Sequence, residues 1–279
     1  MKSILITGCS SGIGLYTAQQ LQKDGYQIFA TARKPEDVEK LKNMGLNSLQ
    51  LDLNDSLSIK NAVIRVLSQT DGKLYALFNN GAFGLPGAVE DLSREALRAQ
   101  FESNVFGTLE LTNYILPVMR QQGYGRIIQN SSILGFAAMP YRGAYNGSKF
   151  ALEGLTDTLR QELYGSGIHV SLIEPGPIES AFRKNAFKAF NQYIDVTNSA
   201  HQSNYQSMIE RLNKEGPAAP FTLGPEAVYK KVLHALTAKR PRARYYVTIP
   251  TYIMGYLKRL LSSRSMDWVL TKAGGSGKR

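Results

Sequence analysis

The chain has 279 residues, 43% hydrophobic and 20% charged, which is ordinary for a soluble globular protein and long enough to bury a substantial core. One cysteine, Cys9, excludes an internal disulfide, and three scattered histidines (His169, His201, His234) give no zinc-type spacing, so no metal is expected. The net charge of +11 is C-terminal: residues 230–279 hold twelve Lys/Arg and one acid, leaving twenty-one of each sign elsewhere, which argues against a nucleic-acid-binding body.

In chain order, apolar runs alternate with amphipathic ones. The opening MKSILITG leads straight into a strand over Ser3–Thr7 with no signal peptide, and no apolar run is long enough to span a membrane; a cytoplasmic protein is expected. Gly12–Leu21 has helical spacing, Tyr26–Ala32 is a second strand and Glu36–Lys42 a short helix. Ser48–Asp52 is a third strand, followed by a helix over Ser56–Leu67, and Leu74–Phe78 is a fourth. Arg94–Met119 predicts one long helix with a kink at Pro117. Arg126–Asn130 is strand five, a helix begins near Tyr145, and His169–Ile173 is strand six. Strands spaced by such helices predict βαβ units, and so a doubly wound, mostly parallel Rossmann-type α/β sheet in one domain over residues 1–251.

Two segments fall outside that alternation. Residues 177–222 form a connection too long for a compact domain unless it is a substrate lid. Its aromatics, among them Phe182, Phe187 and Phe190, either anchor lid helices to the core or form an apolar pocket for a bulky aldehyde, ketone or alcohol. Residues 252–279 form a basic, amphipathic extension. Ile253, Met254, Leu257, Leu260 and Leu261 fall on one helical face, amid Lys258, Arg259 and the aromatics Tyr252, Tyr256 and Trp268. Such a helix docks on the core or a second subunit, or lies on an anionic membrane surface without crossing it.

The first strand ends in Thr7-Gly8-Cys9-Ser10-Ser11-Gly12-Ile13-Gly14. Glycines let the backbone turn tightly and approach a pyrophosphate, and the helix N-terminus that follows favours negative charge. After the second strand stand Arg33 and Lys34, where an acid would bind a ribose 2′-hydroxyl; two cations there point to the 2′-phosphate of NADP(H). Tyr145 and Lys149, four residues apart, share one helical face. A neighbouring ammonium lowers a phenol's pKa, which suits Tyr145 to general acid–base work, although an isolated Tyr-x-x-x-Lys is commonly surface decoration. Ser132 ends the fifth strand thirteen residues earlier.

Taken together, the chain from Ser3 to about Gly224 resembles the short-chain dehydrogenases/reductases. Thr7–Gly14, Asp52-Leu53, Asn79-Asn80-Gly81-Ala82, Asn104, Ser132, Tyr145-x-x-x-Lys149 and Pro175-Gly176 occur in the family's order. ITGCSSGIGL, RKPEDVE, RGAY, SLIEPGPI and FTLGPEAV are similar to NADP-dependent aldehyde reductases within it. The resemblance implies a catalytic set of Asn104, Ser132, Tyr145 and Lys149. Ser132 would hydrogen-bond the substrate oxygen, Lys149 would hold the nicotinamide ribose, and Asn104 would hold a proton-relay water. It implies coenzyme contacts at Gly8, Ser10, Ser11, Gly12, Ile13, Gly14, Arg33 and Lys34. Further contacts are implied at Asp52, Leu53, Asn79, Asn80, Gly81, Tyr145, Lys149, Pro175, Gly176, Ile178 and Ser180, and substrate contacts at Ser132, Tyr145, Phe182 and Phe187. The chain departs from the family with Gly81-Ala82 in place of Ala-Gly, and with Ser180 where a threonine is common. The resulting expectation is an NADP(H)-dependent oxidoreductase reducing lipophilic aldehydes or ketones, working as a homodimer or homotetramer. The alternatives are a hydroxysteroid- or retinol-type alcohol dehydrogenase and a nucleotide-binding sensor without turnover.

Overall fold

The short apolar runs of the sequence become strands, most of them buried on both faces. The computed structural model describes residues 1–213, 216 and 219–274. Its strands are β1 (Ser3–Ile6), β2 (Gln27–Ala32), β3 (Ser48–Gln50), β4 (Ala76–Asn79), β5 (Gly125–Asn130), β6 (Ile168–Glu174) and β7 (Arg244–Tyr246). All pair in parallel, in the order β3-β2-β1-β4-β5-β6-β7. Successive residues point to opposite faces. Ile4 and Ile6 therefore join Ile28, Ala30 and Phe78 on one side, while Leu5 joins Phe29, Leu77 and Ile127 on the other.

The helices cover both faces. α1 (Gly12–Lys23), α2 (Pro35–Asn43) and α9 (Glu226–Thr237) pack on the first side. α3 (Ser56–Ser68), α5 (Gly107–Gln122) and α6 (Gly143–Glu162) pack on the second. This is the doubly wound Rossmann-type sheet that the alternating pattern predicts. Strand order reverses between β1 and β4, and the carboxyl ends of the strands at such a point border the crevice where ligands bind.

The sequence and the structure differ in three places. The helix read as continuous from Arg94 divides into α4 (Arg94–Phe101), a π-turn over Glu102–Phe106, and α5, which runs on through Pro117. The break sits beside Gly107, whose added Cβ would lie 1.8 Å from the Leu53 carbonyl oxygen; α5 starts in backbone contact with the β3–α3 loop. Second, the short strand β7 extends the sheet beyond six strands. Third, the C-terminal extension starts earlier and breaks in the middle, as α10 (Ile249–Leu260) and α11 (Ser263–Gly274). Residues 275–279 of that extension lie outside the described residues, as do 214, 215, 217 and 218 of the lid.

The lid holds α7 (Phe182–Tyr193) and α8 (Gln202–Asn213), which have their own apolar cluster with Leu85, Ala88 and Ala144 of the main body. The Tyr205 hydroxyl accepts a bond from Ala88 N (2.9 Å) and binds Asp91, pinning α8 to the loop after β4.

Candidate active site

Above the carboxyl ends of β1, β4, β5 and β6 opens a cleft of about 2060 Å³. One end is the glycine loop. Gly8 (φ +69) and Gly12 (φ +57) adopt left-handed backbone that side chains disfavour. A Cβ on Gly14 would lie 2.3 Å from Gly8 O, so α1 begins against the loop with no space to spare. Ser11 caps α1 without a side-chain bond, leaving the first amides of the helix for an anion. This cradle fits a dinucleotide pyrophosphate, and Gly8, Ser10, Ser11, Gly12 and Ile13 line the cleft.

Asn80 holds the loop in place. Its Nδ2 donates to Thr7 O (3.0 Å) and Gly8 O (3.2 Å), while Thr7 Oγ1 accepts from the amides of Asn80 (2.9 Å) and Gly81 (2.7 Å). The glycine at 81 has a reason: its Cβ would approach Thr7 Oγ1 to 3.2 Å and Leu53 Cδ1 to 3.3 Å. Asn130 Nδ2 donates to Asn80 Oδ1 (2.9 Å), and Lys149 Nζ donates to Asn130 O (2.7 Å). A continuous hydrogen-bonded chain therefore runs from Lys149 to the glycine loop.

Tyr145 and Lys149 stand on the first turns of α6, with Nζ 5.8 Å from the phenol ring centroid. Ser132 follows β5; its Oγ accepts from Leu134 N (3.1 Å), which leaves the hydroxyl proton for another partner, and it lies near enough to Tyr145 to favour the ionised phenol. Burial pushes the Tyr145 phenol up to about 12, outweighing the lowering by Ser132. Burial also holds the Lys149 ammonium down, to about 8, against the raising effect of Glu153. This corrects the expectation that Lys149 lowers the tyrosine's pKa: desolvation of both groups dominates their mutual effect.

Other expected site residues lie elsewhere. Asn104 is fully buried in the π-turn, its Nδ2 committed to Phe83 O (3.0 Å) and Ser148 Oγ (3.0 Å) and its Oδ1 accepting from Phe83 N (3.2 Å). Its side chain thus fixes the loop after β4. Asn79 points into the protein and donates to Thr112 Oγ1 (3.0 Å). Asp52, Leu53, Gly14 and Asn79 do not border the cleft. Arg33 and Lys34, both exposed, also stand beyond its lining, at the end of β2. Lys34 faces Glu36 at 3.6 Å, whereas no described carboxylate pairs with Arg33. Pro175, Gly176, Ile178 and Ser180 line the cleft below the lid, and a Cβ on Gly12 would lie 2.9 Å from Ser180 Cβ.

Phe182 meets the Tyr145 ring edge-on (centroids 5.3 Å apart) and walls the cleft. Phe187 does not: it packs into the lid's own cluster, a correction to its placement as a substrate contact. Three wall residues stand outside the site residues expected from the sequence, namely Arg142, Arg183 and Arg211. They come from three different elements, and the topology alone collects them. Burial and the neighbouring Arg211 hold the Arg142 guanidinium down to about 9. Pro250, Met254 and Ala273 show that α10 and α11 also wall the cleft.

A doubly wound sheet with a dinucleotide cradle beside a half-buried Ser132–Tyr145 pair and a buried Lys149 defines a nicotinamide-coenzyme oxidoreductase. The short chain dehydrogenase family model matches residues 2–191, and the chain belongs to that family. It is 45% identical over 269 residues to the uncharacterized oxidoreductase YbbO of Escherichia coli (strain K12), covering 96% of this chain and 94% of that protein. It is 35% identical over 259 residues to 17-beta-hydroxysteroid dehydrogenase type 1 of Homo sapiens, covering 88% of this chain and 77% of that one. Among solved structures, an actinorhodin polyketide ketoreductase with NADPH superposes with a TM-score of 0.72 at 25% identity, covering 88% of this chain and 95% of that one.

Proposed function

We propose that the protein reduces lipophilic aldehydes or ketones with NADPH. The observation that carries this reading is Tyr145 beside Ser132 in the lining of a cleft that continues into the dinucleotide cradle. A nicotinamide coenzyme bound there supplies the hydride. Ser132 and Tyr145 together hold the substrate carbonyl oxygen, placing two hydroxyl donors where negative charge develops. Tyr145 gives its proton to that oxygen; a phenol raised to about 12 stays protonated at neutral pH and so favours reduction over oxidation. Lys149, tied through Asn130 to the glycine loop, orients the coenzyme ribose and places a positive charge beneath the phenol as it loses its proton. Phe182, Ile133, Leu134 and Met254 supply the apolar wall that favours a lipophilic chain. The likeness to a 17-beta-hydroxysteroid dehydrogenase favours a second reading, a steroid-like secondary alcohol or ketone as substrate. Exposed Tyr114 on α5, with Phe150 and Leu155 on α6, supports a homodimer paired through those helices.

Arg33 decides the coenzyme. It follows β2 and pairs with no described carboxylate, which supports a contact with a ribose 2′-phosphate, so Arg33→Asp should replace attraction by repulsion. Charge-assisted hydrogen bonds contribute about 1.5–3 kcal/mol, so NADPH affinity should fall roughly ten- to hundredfold while NADH gains. Titration of both coenzymes by fluorescence reads this directly. Equal NADPH affinity in the variant would mean that Arg33 makes no contact with the phosphate.

Lys149 sets the pH range. It works as an ammonium, and its folded value of about 8 lies below the ordinary 10.5. Below about 8 the lysine is charged and the profile of kcat/KM for NADPH, which reports the free enzyme, should be level; above about 8 it should decline. A profile level up to 10.5 would show that the lysine is not held down.

A further inference from the structure

The helix α10 has two apolar faces, and only one is covered. Thr251, Met254 and Gly255 are buried, and Met254, Leu257 and Leu261 pack with Met266 and Leu270 of α11. A Cβ on Gly255 would lie 2.4 Å from the Tyr246 ring, so the helix is pressed against β7. The single face expected from the sequence is thereby split: Met254, Leu257 and Leu261 turn inward, whereas Ile253 and Leu260 turn out. The outer stripe is Ile249, Tyr252, Ile253, Tyr256 and Leu260, at the i, i+3, i+4, i+7 and i+11 spacing of one helix face. It stands open to solvent, with Ile249 54% and Leu260 79% exposed; on α11, Trp268 is 65% exposed.

Beside this stripe runs a groove of about 220 Å³ lined by arginines, a lysine and tyrosines and by no acid. Lys231 of α9, Arg242 before β7, and Tyr252, Tyr256 and Arg259 of α10 meet there; Arg244, at its base, is held by Glu153, Glu174 and Asp157. Lys231 Nζ donates to the Tyr252 hydroxyl (3.4 Å). The described residues from 230 onward carry ten Lys/Arg and only Asp267 as an acid.

We infer that the outer face of α10 and the adjoining basic groove form a docking surface for an anionic phospholipid bilayer. Aliphatic and aromatic side chains along one helix face, with cations in the groove beside them, match the layered chemistry of the interface. Ile and Leu enter the acyl boundary, Tyr and Trp sit at the headgroups, and Lys and Arg take the phosphates. No helix among the described residues is long and apolar enough to cross a membrane, so the contact is peripheral. The same two helices wall the catalytic cleft through Pro250, Met254 and Ala273, so docking would bring the cleft beside the lipid. Charge separates this occupant from the others. A second copy docked face to face would oppose two basic grooves, and a nucleic acid would satisfy the cations while leaving Ile249, Ile253 and Leu260 in water.

The test uses the full chain and sedimentation with vesicles of phosphatidylcholine, alone or mixed with phosphatidylglycerol. The protein should pellet with the anionic vesicles and stay in solution with neutral ones, and the emission of Trp268, the single tryptophan, should shift to the blue. Ile253→Asp/Leu260→Asp and Lys231→Ala/Arg259→Ala should each weaken partitioning by at least about tenfold, while turnover of a water-soluble aldehyde is unchanged. Three results would overturn the inference. One is a wild-type protein that stays in solution with anionic vesicles at low salt, or variants that pellet equally well. Another is dissociation of an oligomer by Ile253→Asp/Leu260→Asp without lipid, which would give the stripe to a second copy. The third is tighter capture of an oligonucleotide than of anionic vesicles.

Discussion

Tyr145→Phe is expected to retain coenzyme binding and to lose nearly all turnover. The substitution removes one oxygen from a ring whose contacts with Phe182 persist, so the cleft should keep its shape. The lost group is the proton donor, and general acid–base groups contribute about 10²–10⁴-fold. Ser132 cannot take the role, because an alkyl hydroxyl is far less acidic than a phenol. The check is kcat beside coenzyme affinity measured on the same preparation. A variant that keeps more than about a tenth of the wild-type kcat would remove Tyr145 from the chemistry.

Arg244→Met is expected to produce the largest loss of stability. Arg244 on β7 donates to Glu174 Oε1 (2.6 Å) and Asp157 Oδ2 (2.5 Å) and binds Glu153. Glu174 is fully buried, with its second oxygen lacking a partner, and burial first, then Glu153, pushes it up to about 8. Without the guanidinium, three carboxylates would face one another. Removing one partner of a buried ion pair costs about 3–5 kcal/mol, and in a chain of this size that lowers Tm by on the order of 10 °C. The pH dependence has a definite sign. Glu174, raised in the folded state, binds more protons there than in the unfolded chain, and losing the guanidinium raises it further, so the variant's deficit should shrink as pH falls from about 8 toward 5. Calorimetry at both pH values reads it; a Tm within about 2 °C of wild type would show that the carboxylates do not need the arginine.

That network also shows where the sequence stops being informative. The glycine loop, the Tyr145–Lys149 pair and the buried strands are local patterns, legible because spacing along the chain sets them. The Glu153–Glu174–Arg244 cluster joins a helix, a strand and a strand of three residues that begins with a charge, and β7 therefore has no apolar run to announce it. The three wall arginines are collected in the same way. Asn104 is legible as a position but not in its bonds, because the π-turn that aims its amide at Phe83 sits beside a contact distant in sequence, between Gly107 and Leu53. The direction of the Tyr145 shift was misread because burial, which only the fold supplies, exceeds the effect of a charge four residues away.

The most direct test of the central claim is NADPH consumption by the wild-type protein across a series of linear aldehydes of increasing chain length. Each methylene that enters an apolar wall contributes about 0.8 kcal/mol, roughly fourfold in kcat/KM, until the cleft is filled. The account predicts a steady rise along the series, with NADPH well ahead of NADH. No consumption of NADPH with any member, or a preference for the shortest aldehydes, would contradict it.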